Sequence, residues 1–123
     1  MDYNNVRNAI QTYLDACYEG DAEKMSSIFH NAAHFYQHAD DGSLIDWSKD
    51  DFIKRIKDRG PAKVPDYPRQ DEVLLVDFTG EKSVIVKLKL RIGNNLFTDM
   101  LGFMLLEGKW WIISKMATKI VLK

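Results

Sequence analysis

Between residues 3 and 19 the apolar positions Val6, Ile10, Tyr13, Leu14 and Cys17 recur at steps of three and four, which predicts one amphipathic helix. Gly20 follows as its C-terminal cap. Asp21 is placed to cap a second, short helix carrying Met25, Ile28 and Phe29, expected to end near His30. From Ala33 to His38 the aromatic run AHFYQH, followed by the turn-rich ADDGS, predicts a strand. Alternation puts Phe35 and Gln37 on one face of it and His34, Tyr36 and His38 on the other. Which face turns inward is left open by the pattern.

Leu44 and Ile45 fit a short second strand. In SKDDFIKRIKDRG, Ser48 stands as N-cap, Phe52, Ile53 and Ile56 supply the apolar positions and Gly60 the stop, which predicts a third helix. GPAKVPDYPRQ holds all three prolines of the chain and is expected to be a loop or irregular crossing. Beyond it every segment is strand-like: EVLLVDF, SVIVKLKLRI, NLFTDMLGFMLL and KWWIISKMATKIVL, separated by TGEK, GNN and EG turns. An antiparallel four-strand meander is expected. Its second strand alternates Val84, Val86, Leu88, Leu90 and Ile92 with Lys87, Lys89 and Arg91, so one face is buried and one is wet. The next strand breaks that rule, with Leu96, Met100, Met104 and Leu106 on one face and Phe97, Leu101, Phe103 and Leu105 on the other. Helices cover one face of a sheet; the second apolar face calls for a partner, and a homodimer through the outer face of the sheet is expected.

Composition narrows the partners. At 123 residues the chain is expected to be a single domain. Lys plus Arg number 17 against 18 Asp plus Glu, a net charge of -1, which lacks the electrostatic footprint of a nucleic-acid binder. No basic and apolar leader pattern and no membrane-length apolar run occur, so the expected address is cytoplasmic, with no membrane contact. The one cysteine, Cys17, reads as a small buried hydrophobe. Neither a Gly-rich phosphate loop nor GxSxG, HExxH or paired acids at helical metal spacing occur, so no cofactor and no metal are expected.

The order helix, helix, strand, helix, proline loop and meander ending in a Trp-rich strand resembles the nuclear-transport-factor-2-like (NTF2-like) superfamily, which includes SnoaL-like and ketosteroid-isomerase-like members. Within it, YEGDAEKMSSIFHNAAHF and FTDMLGFMLLEGKWWIISKM look like the branch called putative lumazine-binding. Gly20, Asp21, Phe29 and His30 match its pattern near the start. Phe97, Thr98, Asp99, Leu101, Gly108, Trp110, Ile112 and Lys115 match "FTDYL…dGrWrIvnK" near the end, while Asn31 and Ala32 stand where "pd" is usual. The resemblance implies an α+β, cone-shaped fold: three N-terminal helices on a strongly curved, mostly antiparallel sheet of about six strands, with a pocket between them.

In the ketosteroid isomerases of that superfamily a first-strand acid removes a proton while a helix tyrosine and a second acid stabilise the enolate oxygen. The matching base position here is Gln37, which does not take a proton at neutral pH. Tyr13 and Asp99 remain as groups able to donate to a ligand carbonyl, if Asp99 is desolvated; the alternatives are a phenol bonded to backbone or water and a solvated or capping acid. His34 or His38 could serve as a base if that face points inward. Trp47 reads as a staple on the third helix or a lid over the pocket, and His30 as a helix C-terminal group. Lys115 shares a face with Trp111 and Ile113 by alternation, which reads as an interface or snorkelled lysine, the alternative being a pocket cation for an anionic ligand. The pocket candidates are therefore Tyr13, Phe35, Gln37, Trp47, Asp99 and Lys115. The expected function is binding of a small apolar or aromatic molecule. One alternative is an isomerase, cyclase or dehydratase with Asp99 and Tyr13 as polarising acids and a histidine base; another is a protein-association module.

Overall fold

The computed structural model describes residues 3–62 and 68–122. Three helices, α1 (Tyr3–Glu19), α2 (Ala22–Ser26) and α3 (Lys49–Arg59), pack on one six-stranded sheet. The strands are β1 (Phe29–His38), β2 (Leu44–Ser48), β3 (Asp71–Phe78), β4 (Ser83–Ile92), β5 (Asn95–Leu106) and β6 (Lys109–Val121). Their order across the sheet is β2-β1-β6-β5-β4-β3. Every neighbouring pair is antiparallel except β1 with β6, which run parallel. Among the described residues no helix is long and apolar enough to cross a membrane.

The helices start and stop where side chains satisfy their free backbone groups. Asp21 accepts the Lys24 N–H at 3.0 Å and opens α2; Ser48 accepts the Asp51 N–H at 3.3 Å and opens α3. α1 buries Val6, Ile10, Tyr13, Leu14 and Cys17 as its periodicity predicts, together with Ala9 and Ala16. α3 buries Phe52 and Ile56. These meet Val84, Val86, Leu88 and Leu90 of β4, Leu101 and Phe103 of β5, and Trp110 and Ile112 of β6 in one core.

Two boundaries differ from the sequence reading. α2 ends at Ser26, because the chain is already extended at Phe29, and His30 lies in β1 rather than at a helix end. There its Nδ1 accepts the Ala32 N–H at 3.0 Å and its ring meets Trp111 edge-on at 5.5 Å. The regular part of β1 is nevertheless the predicted stretch: Phe29 faces Ile112, then pairing resumes only at His34 opposite Ser114. The middle of the proline segment, residues 63–67, lies outside the described residues.

On β5 the inward set Asp99, Leu101 and Phe103 is buried, while Leu96, Met100, Met104 and Leu106 on the outer face are half-buried. Exposed Met116, Ile120 and Ile85 continue that outer apolar surface onto β6 and β4. β2 and β3 are the edge strands, and Val73 to Val76 of β3 are exposed.

Gly20 lies between α1 and α2 and packs against the turn after α3. It has φ +65°, and a Cβ placed on it would lie 2.2 Å from the Gly60 carbonyl carbon, a backbone atom that cannot swing away. Gly20→Ala should therefore lower stability by about 2–5 kcal/mol, combining the left-handed penalty with overpacking. Gly42, at φ +86° with nothing within 4 Å of a Cβ placed on it, is the control; Gly42→Ala should cost only about 1–2 kcal/mol. Urea unfolding of both variants measures the difference, and equal losses would show that the contact with Gly60 is not tight.

Candidate ligand pocket

The site begins with an irregularity in β6. Gly102 of β5 faces Ser114, but Phe103 faces Ile112, so Ile113 is an extra residue with no opposite number. A bulge of this kind reverses the alternation beyond it. Before it Trp110 and Ile112 point inward; after it Lys115 and Ala117 are the buried positions. Lys115 is thus only 7% exposed, on the core side. The expectation that it shares an outer face with Trp111 and Ile113 is corrected: unbroken alternation does not hold across Ile113.

Asp99 is 1% exposed, which removes the solvated and capping readings. Tyr13, wholly buried on α1, donates its phenol O–H to Asp99 Oδ2 at 2.5 Å. Lys115 Nζ stands 3.9 Å from the same oxygen. Its ammonium is ringed by Phe52, Phe35 and Tyr13, with centroids at 4.5, 4.8 and 5.2 Å, a cation–π cage. Asp99 Oδ1 has no hydrogen-bond partner among the described residues. Burial raises the Asp99 carboxyl above its ordinary pKa, against the opposing pull of Lys115 and the Tyr13 hydrogen bond. Burial and the adjacent Asp99 push the Tyr13 phenol well above its usual range, so at neutral pH it is a donor.

Above this cluster opens a cavity of about 290 Å³, at the small end of the range for ligand sites, about 300–1,000 Å³. One wall is a column of flat groups. Phe35 stacks on Phe52 at 5.3 Å and on Trp47 at 4.7 Å, and the Arg55 guanidinium lies 3.9 Å over the Trp47 ring. Leu90, Ile92 and Phe97 form the sheet side, Ile56 and Cys17 belong to the helix side, and Gln37 and Asn95 add neutral polar groups. Asp99 and Lys115 contribute charged groups to the lining, as do Arg55, Arg59 and Lys119.

The structure brings Phe35, Gln37, Trp47, Asp99 and Lys115 to one cavity, with Tyr13 behind Asp99 as its hydrogen-bond donor. Trp47 belongs to β2, opposite Phe35, rather than to the approach of α3 alone. His34, Tyr36 and His38 are on the other face of β1: His34 Nδ1 meets Asp46 Oδ1 at 2.6 Å, and its ring stacks with Tyr36 at 6.0 Å. A histidine base inside the cavity is thereby lost. Arg55 and Arg59 were missed, although both follow the Phe52 and Ile56 stripe at helical spacing. Lys119, which lines the cavity on the same face of β6 as Lys115, was also missed.

The family described as putative lumazine-binding matches residues 1–117, and the chain belongs to it. Among solved structures, an NTF-2 like protein of unknown function from Silicibacter pomeroyi superposes with a TM-score of 0.82 at 24% identity, over 96% of this chain and 95% of that one. An NTF2-like protein of unknown function from Shewanella baltica gives 0.86 at 19%, covering 97% and 94%. A third, from Methylobacillus flagellatus, gives 0.84 at 24%, covering 98% and 93%. At these identities the likeness shows the NTF2-like fold alone. No curated protein matches.

Carboxyl-carbon NMR should place the Asp99 midpoint above the ordinary value of about 3.9. Tyr13→Phe and Lys115→Met should each raise it further, Lys115→Met more, because each removes a group that favours the ionised form. A folded-state pKa above the unfolded one means the folded chain keeps a proton the unfolded chain has released. The Asp99 contribution to stability therefore falls as pH rises from about 3.9 through the folded midpoint. A midpoint at or below the ordinary value would show that the carboxyl is not desolvated.

Proposed function

We propose that this member of the putative lumazine-binding family holds one small, planar heteroaromatic molecule of the pteridinedione type, without turning it over. The observation that carries the reading is the pair at the cavity floor: unpartnered Asp99 Oδ1 beside the Lys115 ammonium. An acceptor and a donor side by side complement an edge in which a ring N–H adjoins a carbonyl. The stacked Phe35 and Trp47 rings offer a flat wall to such a ring system. The family's description supports the same ligand class. Binding rather than turnover is favoured because Gln37 holds the base position, Tyr13 donates to Asp99, and the β1 histidines His34 and His38 are on the opposite face from Phe35 and Gln37.

Assembly is a second part of the proposal. The helices all lie on the inner face, and we propose that a second copy covers the outer one. Its apolar centre is Met100, Met104 and Met116. A two-fold axis along β6 would set Asp46 of β2, two strands to one side of it, against Lys87 and Lys89 of β4, two strands to the other. Sedimentation velocity at micromolar concentration should give a dimer, and Met116→Lys a monomer; a monomeric parent would remove the dimer and leave the pocket reading untouched.

The ligand test is a thermal-shift titration with lumazine, riboflavin and a neutral steroid. Lumazine at a hundred times its Kd should stabilise the fold by about 2.7 kcal/mol, a rise of several degrees in Tm. Lumazine methylated at both ring N–H positions, 1 and 3, should bind about tenfold more weakly, a loss of about 1.4 kcal/mol, because it has no ring N–H for Asp99. A flat response to every ring compound would overturn the reading in favour of an association module.

A further inference from the structure

Charge is distributed unevenly over the cavity in a way the ring-binding reading does not use. The lining holds four cations, Arg55, Arg59, Lys115 and Lys119, against one acid, Asp99, in a chain whose net charge is -1. Asp99 and Lys115 offset each other at the floor. That leaves three cations, two on successive turns of α3 and one on β6. None of the three forms an ion pair among the described residues. Arg59 donates one N–H to the Cys17 carbonyl at 2.8 Å, and Arg55 lies over Trp47, which orients each guanidinium without neutralising it. Asp51 and Asp58 flank Arg55 in a separate surface depression that includes none of the floor residues. Phe97 is the β5 neighbour of Lys119, so the same sheet position presents an aromatic ring and an ammonium side by side.

We propose that the ligand is an anion: a planar ring seated on the floor, carrying an oxyanion substituent that Arg55, Arg59 and Lys119 hold at the other end. This rests on the ring-binding reading above. Unpaired cations converging on a partly enclosed apolar cleft focus a positive potential into it. Guanidinium groups bind carboxylate and phosphate oxygens in a planar fork, which fixes the ring's orientation as well as its affinity. The floor then selects the ring edge and the rim selects the charge.

Two matched pairs of probes separate the ring from its substituent: pterin against pterin-6-carboxylate, and riboflavin against its 5′-phosphate, by isothermal titration at low and high salt. In at least one pair the anion should bind about tenfold or more tightly at low salt, and the advantage should shrink at high salt. The responding pair tells a carboxylate from a phosphate. In Arg55→Gln/Lys119→Gln the anion-to-neutral ratio should collapse to about twofold or less; general damage to the pocket would weaken both members together and leave the ratio standing. If both members of both pairs bind equally, the anion inference is overturned while ring binding stands. If the ratio survives in the double variant, the assigned residues are overturned. If none of the four probes binds, both readings fall.

Discussion

A β-strand assigns its side chains to faces by counting, and in this protein the count is altered once, at Ile113. The extra residue sits where β6 loses register with both of its neighbours, β5 and β1. Trp110 and Ile112 fill the core on one side of it; Lys115 and Ala117 are buried beyond it. With an unbroken alternation the same face would carry Met116 and Thr118 past that point, and the cavity floor would be a carboxyl with no cation. Gly102 lies opposite the irregularity, and a Cβ there would come 2.7 Å from Ser114 Oγ. The absence of a side chain at Gly102 is thus part of how β5 accommodates the bulge. The cavity's polarity follows from this local geometry in a sheet that is otherwise regular.

What the bulge brings inside is costly. A carboxyl and an ammonium taken out of water lose hydration that a separation of 3.9 Å only partly restores. The Tyr13 hydrogen bond and the aromatic cage around Lys115 offset more of it. Asp99 Oδ1 remains unsatisfied, which by itself costs about 1–3 kcal/mol. A core that needed only stability would be served better by apolar groups of similar volume at these two positions. The surrounding apolar core, continuous from α1 through α3 to the sheet, tolerates the cluster because it is large and single.

Most of the fold was legible in sequence because its signals are local. The α1 stripe, the Ser48 and Asp21 caps, and the alternating β4 each declare themselves within a dozen residues. Asp99 was legible as an acid out of place among Phe97, Met100 and Leu101. Three things were hidden. Alternation tells which residues of β1 travel together but not which set faces the helices; that depends on the parallel pairing of β1 with β6, between elements far apart in the chain. And a bulge leaves no mark in composition, so alternation counted Lys115 onto the outer face even though the family resemblance made it a pocket candidate. Arg55 and Arg59 were hidden differently: their spacing was readable, but an arginine beside an apolar stripe is ordinary until the cavity next to it is seen.

Floor and wall share the Phe35 ring, and on the proposed binding reading this would couple occupancy to protonation. Phe35 stacks on Trp47 and Phe52 and also faces the Lys115 ammonium, so a ring pressed against Trp47 bears on the column that positions the cation. A ligand N–H meeting Asp99 Oδ1 adds a hydrogen bond that favours the ionised carboxyl, opposing the burial that raises its pKa. By linkage, such a ligand would lower the carboxyl's pKa, and binding would release protons wherever the ligand-free protein holds the carboxyl protonated. The same contact would satisfy Asp99 Oδ1, which has no hydrogen-bond partner among the described residues. On the proposed binding reading, the free energy that the unpaired carboxyl oxygen costs the fold would be returned in the bound state, and the strongest ligands would be those that complete the polar cluster rather than those that bury the most apolar surface.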